Sequence, residues 1–308
     1  GGLLLLNKLT VLLTGSSGFV GHHVLLKLLE HDYKVILISR RRIKNLGSSS
    51  LEQFIIPSLE EFFDWNTVLA DVDYVIHCAA VSHSYNNEPR FKKKIWEVNH
   101  TVTMRIVEAA LRNHVKRFVF LSTVKVYGEN SKPGQTFNES SATAPADTYA
   151  SSKLAAERDI ISLCSNSKLK FVIIRSPVVY GPGVKGNVQF LQKLIKYRFV
   201  FPRRVLNKNL RSIVSIQNLS EFILFCLQNP NAANQVLLIK DQSDKSTEGF
   251  IKHLASEMDI KAVFVPLPIW SIYYLLKILG RERSYKALVN NLVIDNTKTL
   301  EKMKFFSA

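Results

Sequence analysis

Over the first two-thirds of the chain, short continuous apolar runs alternate with longer stretches of helical spacing. KLTVLLT (8–14), KVILISR (34–40), QFIIP (53–57), DYVIHCA (73–79), RFVFLST (117–123) and KFVIIRS (170–176) are rich in β-branched and aromatic residues and lack polar alternation. Such strands are covered on both faces, which predicts an α/β fold built on a doubly wound parallel sheet. In sheets of this kind ligands bind beyond the carboxyl ends of the strands. After Gly181 the regularity loosens. A helix is expected from about Val188 to Tyr197, then the basic loop FPRRVLNKNLR, a strand and helix in RSIVSIQNLSEFILFCLQ, and the strand QVLLIKD. A following helix could be capped by Ser246 or Thr247. PLPIWSIYYLLKILG and NTKTLEKMKF close the chain with helical spacing and no strand partner in sequence.

The first strand runs into TGSSGFVG (14–21) and then a helix. In that context Gly15 permits a tight turn, Gly18 lets backbone approach a pyrophosphate, and Gly21 allows the helix to pack closely. The backbone of Ser17, Phe19 and Val20 completes the phosphate turn of a Rossmann dinucleotide site. An NAD site places a carboxylate at the end of the second strand, about 20 residues on. Here that strand ends in Ser39, Arg40 and Arg41, and the next carboxylate is Glu52. Guanidinium groups there suit a 2′-phosphate, so NADP(H) is the expected cofactor and NAD(H) the alternative. Residues 1–181, rejoined by 211–241, are expected to form the dinucleotide-binding domain, with 182–210 and 242–308 as a smaller interleaved substrate lobe.

Composition narrows the setting. The chain has 308 residues, 46% hydrophobic and 21% charged, enough for one large α/β domain or two unequal lobes. No run reaches the roughly 18 apolar residues of a membrane span. The opening GGLLLLN has no basic n-region and is read as a ragged end. Cys78, Cys164 and Cys226 are far apart and form no CxxC pair, which points to a reducing cytoplasm rather than disulfides or zinc. His77 and His83 flank Cys78, but their spacing does not suit a strand-borne metal pair. A formal charge of +16 favours anionic partners.

Tyr149 and Lys153 stand four apart in DTYASSKLAAE, so a phenol and an ammonium share one helix face. The same spacing recurs at Tyr273 and Lys277, within an apolar stretch read as packing. TGSSGFVG, DYVIHCAA, the Asn of EVNHTVT, LSTVKVYG, YASSK and IIRSPVVYGPG occur in an order that resembles the extended short-chain dehydrogenases/reductases, the nucleotide-sugar epimerase and dehydratase family. The resemblance spans nearly the whole chain. It implies an enzyme in which Tyr149 exchanges a proton with a sugar oxygen while hydride moves at the same carbon. Lys153 would lower the phenol's pKa and hold the nicotinamide ribose. Thr123, with Ser122 as the adjacent alternative, would bond the same oxygen, and Asn99 would order the site. Ala79, Ala80 and Pro177 would line the cofactor, and Lys125, Asn187 and Arg211 would contact the nucleotide sugar. Arg203, Arg204 and Lys208 are further candidates.

Dehydratases of this family carry an Asp-Glu pair after the catalytic Thr, where this chain has Val124 and Lys125. That leaves oxidoreduction at C4. With NADP(H) expected, net reduction of a UDP-4-keto-6-deoxy-N-acetylhexosamine in surface-polysaccharide synthesis is the favoured reaction. A UDP-sugar 4-epimerase is the alternative, and a non-catalytic dinucleotide sensor the third reading. The expected partner is a nucleotide sugar, not nucleic acid. A homodimer through helices at about 90–112 and 149–163 is implied, and PIWSIYYLLKILGRER offers a weak peripheral membrane contact.

Overall fold

The structure, a computed structural model, describes residues 8–43, 50–61, 63–82, 88–267, 269–278, 280, 285 and 288–305. Seven strands form the main sheet. They are β1 (Thr10–Thr14), β2 (Lys34–Ser39), β3 (Leu51–Ile55), β4 (Tyr74–His77), β5 (Arg117–Thr123), β6 (Lys170–Ser176) and, after three short strands described below, β10 (Gln235–Leu238). All pairings are parallel and the order is β10-β6-β5-β4-β1-β2-β3, so the winding direction switches between β1 and β4. Register brings Thr14 level with Ile38 and His77, His77 level with Phe120, and Thr123 level with Ser176. The expected strand at 53–57 lies two residues earlier, as β3.

The absence of polar alternation has the expected cause. Val11 and Leu13 of β1 enter one core while Leu12 enters the other, and Val35 and Leu37 of β2 oppose Ile36 and Ile38 in the same way. Helices α1 (Phe19–Glu30) and α8 (Ile216–Gln228) cover the first face. The second is covered by α2 (Trp65–Leu69), α4 (Val102–Arg112) and α5 (Thr148–Cys164), with α3 (Pro89–Trp96) leading into α4 through a π-helical turn, Glu97–Thr101. Among the described residues no helix is long and apolar enough to cross a membrane.

A further apolar cluster gathers Tyr180, Val188, Leu191, Phe201, Phe250 and Leu254. Around it lie α6 (Asn187–Lys196), α7 (Arg203–Leu206), α9 (Thr247–Glu257) and α10 (Ile269–Ile278), with two parallel pairs: β7 (Val178–Tyr180) on β9 (Ile213–Ser215), and β8 (Val200–Pro202) on β11 (Val263–Val265). Ser246 caps α9 by accepting from Gly249 N–H at 3.0 Å.

Two sequence expectations need correction here. The first residues of FPRRVLNKNLR (201–211), read as loop, complete β8 and form α7, which escaped notice because β8 is three residues long and its partner lies about sixty residues away. The segment 211–241 meets residues 1–181 in pieces: β9 pairs with β7, α8 covers the first face of the main sheet and β10 joins that sheet. The closing segment is divided too. Its last helix, Thr297–Met303, buries Met303 in the core beneath α8, and Thr299 Oγ1 accepts from Leu238 N–H of β10 at 3.0 Å.

Candidate active site

The glycine turn lies at the switch point. Gly15 has φ +78°, and a Cβ there would lie 2.5 Å from Ala79 N, so the turn crosses the end of β4 at backbone contact. A Cβ on Gly21 would lie 2.2 Å from Gly15 O, which leaves no room for any side chain between α1 and the turn. These are the roles that the spacing predicts for both. Gly18 N–H donates to Gly15 O at 2.9 Å. The start of α1 has neither a side-chain cap nor an acidic residue in its first turn. Beside it Ser16 Oγ is buried and has no hydrogen-bond partner among the described residues. An uncapped helix start with an unanswered hydroxyl fits an anionic group such as a dinucleotide pyrophosphate. Ser17 is exposed, the Phe19 side chain packs toward the cluster around α6 and α9, and Val20 packs on the main core, which leaves the backbone of Phe19 and Val20 as what they could offer a ligand. At the end of β2, Ser39 Oγ donates to Arg41 O at 2.8 Å, while Arg40 and Arg41 are exposed.

Tyr149 and Lys153 sit on the first turns of α5. Asp147 starts that helix, its carboxylate accepting from Ala150 N–H at 2.7 Å. Tyr149 is half-buried, and its pKa is pushed up to about 12 by burial and by the Asp147 carboxylate. Lys153 is 1% exposed, its Nζ 3.9 Å above the centre of the Phe120 ring. Burial draws its pKa down to about 7, while Cys78 and Glu157 act the other way. The lowering of the Tyr149 pKa expected from Lys153 together with the nicotinamide ring concerns the cofactor-bound enzyme; in the protein by itself burial shifts both groups the other way. Both groups are desolvated, and the ammonium spends its field on an aromatic face. Tyr273 differs in kind: its ring packs edge-on against Tyr285 and carries Lys277 Nζ at 5.9 Å.

Asn99 stands in the π-helical turn and is fully buried. Its Oδ1 accepts from Val81 N–H at 2.8 Å, and its Nδ2 donates to Val81 O and to Ser152 Oγ, both at 3.1 Å. Ser152 Oγ donates in turn to Tyr149 O at 2.8 Å, so Asn99 ties the loop after β4 to the start of α5. His77 is buried beneath this point. Its Nδ1 lies 2.7 Å from Thr14 Oγ1 and its Nε2 2.9 Å from Thr103 Oγ1. Thr103 Oγ1 donates to Asn99 O, and Ala79 N–H donates to Thr14 Oγ1, which assigns the Nε2–H tautomer. Burial, with Lys153 nearby, holds His77 neutral with a pKa of about 3. Both its nitrogens are thus committed to hydroxyls. His83 lies outside the described residues.

Thr123 ends β5, its Oγ1 accepting from Lys125 N–H at 3.3 Å. Ser122, the alternative, is turned away: its hydroxyl donates to the buried Glu157 carboxylate. Arg175 clasps the same carboxylate, with Nη2 to Oε2 at 2.6 Å, and Arg175 Nη1 donates to Tyr127 OH at 2.6 Å. The sequence reading missed this pair, although Glu157 stands one helical turn beyond Lys153 and Arg175 is the penultimate residue of β6, two before Pro177. After Thr123, Val124 is buried and Lys125 reaches Asp147 at 3.6 Å and Glu129 at 3.7 Å.

Asn187 and Arg211, 24 positions apart, line one cavity with Val178, Lys245, Ser246 and Phe250. Arg203, an expected helper, is instead paired with Glu248 at 3.3 Å, and Lys208 is exposed. The side chain of Arg204 lies outside the described residues.

A family model described as NAD dependent epimerase/dehydratase family matches residues 11–239. The chain is 34% identical over 296 residues to a UDP-glucose 4-epimerase of Vibrio cholerae, covering 96% of this chain and 89% of that protein. Among solved structures it shares its fold with the Thermotoga maritima UDP-glucose 4-epimerase with UDP-glucose (TM-score 0.75, 22% identity, 96% of this chain and 93% of that one). The Bacillus cereus UDP-glucuronic acid 4-epimerase in complex with NAD is similar in the same way (TM-score 0.77, 20% identity, 97% and 94%). With the glycine turn, the Tyr149–Lys153 helix and the Thr123 strand end set at one edge of such a sheet, the chain belongs to the NAD dependent epimerase/dehydratase family and is an enzyme of the extended short-chain dehydrogenase/reductase type.

Proposed function

We propose that the chain carries out oxidoreduction at C4 of a UDP-hexose or UDP-N-acetylhexosamine, as a 4-epimerase. The observation that carries this is a strand end with Thr123 and a helix start with Tyr149 and Lys153, with no carboxylate at the two positions that follow Thr123. Val124 and Lys125 stand where a dehydratase needs its carboxylates. The near-full-length likeness to a UDP-glucose 4-epimerase supports the epimerase over other C4 reactions.

Tyr149, protonated in the protein by itself, gives or takes the proton at O4. Thr123 Oγ1 holds the same oxygen, and Lys153 would bind ribose hydroxyls of the cofactor. Asn99 keeps the α5 start and the loop after β4 in register. The Gly15–Gly21 turn and the backbone after β4 at Ala79 and Ala80 would hold the dinucleotide. A bound dinucleotide supplies the hydride exchange and, when oxidised, a positive charge beside the phenol that burial alone withholds.

One observation favours a second reading, reduction of a 4-keto sugar with NADPH. Arg40 and Arg41 are exposed where an NAD enzyme places a carboxylate. If they clasp a 2′-phosphate, Arg40→Asp loses charge-assisted bonds of about 1.5–3 kcal/mol, roughly ten- to a hundredfold in NADPH affinity. Titration of NADPH and NADH against parent and variant checks this. Equal affinities in the parent remove the second reading.

The decisive assay incubates the protein with UDP-glucose, UDP-N-acetylglucosamine and a UDP-4-keto-6-deoxy-N-acetylhexosamine, each with NAD or NADPH. Interconversion at C4 with no net change in nicotinamide absorbance identifies the epimerase. Stoichiometric oxidation of NADPH identifies the reductase, and neither outcome rejects both. Trp96 on α3 and Ile161 and Leu163 on α5 are exposed, which supports the homodimer expected through these helices. Sedimentation over a range of concentrations should then show a dimer, and a monomer throughout would reject it.

A further inference from the structure

The junction at Lys245 carries no mark in the sequence, yet it faces the cavity of Asn187 and Arg211. We propose that Lys245 and Arg211 act as a pair of cations that clasps the diphosphate of the substrate's nucleotide. The proposal rests on the nucleotide-sugar reading above and adds the residue that would separate a diphosphate from a monophosphate.

The two cations are held side by side by backbone. Arg211 N–H donates to Lys245 O and Lys245 N–H donates to Arg211 O, both at 2.9 Å. Residues opposite each other on an antiparallel bridge send their side chains to the same side, and both line the cavity. Arg211 Nη1 donates to Asn290 O at 3.1 Å, and Lys245 Nζ lies 3.4 Å from Ser243 Oγ. Burial draws the Arg211 pKa down to about 10, with Glu129 acting the other way.

The carboxylates nearest in sequence are committed elsewhere. Asp244 accepts from Ser212 Oγ and from Lys240 Nζ, the latter at 2.7 Å. Glu248 is paired with Lys252 at 2.6 Å and with Arg203. The hydroxyls at the start of α9 are also in use, Ser246 as its cap and Thr247 donating to Leu288 O at 2.7 Å. Among the described residues no carboxylate forms an ion pair with Arg211 or Lys245. Like charges so held repel until an anion lies between them, and a group with more than one negative charge gains most from both.

Isothermal titration of UDP, UMP and uridine against the full-length protein tests this, with Lys245→Met and Lys245→Arg as variants. Methionine keeps the stem and removes the charge. Lys245→Met is expected to weaken UDP by roughly tenfold or more and UMP far less, while Lys245→Arg restores UDP binding. Parent-like UDP affinity in Lys245→Met, or an equal loss for UDP and UMP, overturns the assignment. A parent that binds neither UDP nor a UDP-sugar overturns the nucleotide-sugar reading itself, and this proposal with it.

Discussion

Tyr149→Phe is expected to lower turnover by roughly a hundred- to ten-thousandfold, the usual contribution of a positioned acid or base, while dinucleotide affinity stays close to the parent's. The substitution removes one hydroxyl and keeps the ring on the first turn of α5, so Asp147 still caps the helix and Asn99 still reaches Ser152. With a pKa of about 12 in the protein by itself, the hydroxyl that the variant removes carries its proton at neutral pH. Thr123→Ala serves as the comparison, since it removes a hydrogen bond to the same oxygen and leaves the proton donor in place. Steady-state rates and cofactor titration of both variants check this. Near-parental turnover in Tyr149→Phe would falsify the acid/base assignment.

The second large effect concerns stability. Arg175→Met leaves the Glu157 carboxylate, itself 1% exposed, with the Ser122 hydroxyl in place of a bidentate counter-ion. Removing one partner of a buried pair costs about 3–5 kcal/mol, because the remaining charge stays desolvated. The double variant Arg175→Met/Glu157→Leu removes both charges, and apolar replacement of a whole buried pair is often close to neutral. Urea unfolding midpoints are therefore expected to fall sharply in the single variant and to recover substantially in the double one. If the double variant is no more stable than the single, the pair does not act as a charge-compensated unit.

The parts of this fold that repeat over short distances were readable in advance. Continuous apolar strands specify a sheet covered on both faces, and the glycine spacing specifies a turn whose contacts, 2.2 and 2.5 Å from hypothetical Cβ atoms, admit nothing larger. Tyr149 and Lys153 were legible because helical spacing brings them together. What escaped detection depends on long sequence separation. Glu157 meets Arg175 across 18 positions and two elements, β8 meets β11 across some sixty, and Lys245 meets Arg211 through a bridge between segments with no shared period. The electrostatics of Tyr149 in the protein by itself escaped the sequence for a different reason. Spacing reports proximity along a helix and says nothing of which face is desolvated, or of the Phe120 ring that receives the ammonium.

A sheet that does not close on itself ends in two rows of backbone amides able to recruit a strand from another molecule. On the β10 side this chain answers its own edge. Thr299 takes the Leu238 amide, Lys302 Nζ reaches Gln235 Oε1 at 2.7 Å, and Asn229 Nδ2 holds Met303 O at 3.2 Å. Phe305 then packs against Phe222 and Phe225 of α8. The tail thus works as a guard rail against strand addition, and it does so with side chains and a short helix that cannot themselves pass the sheet on to a neighbour.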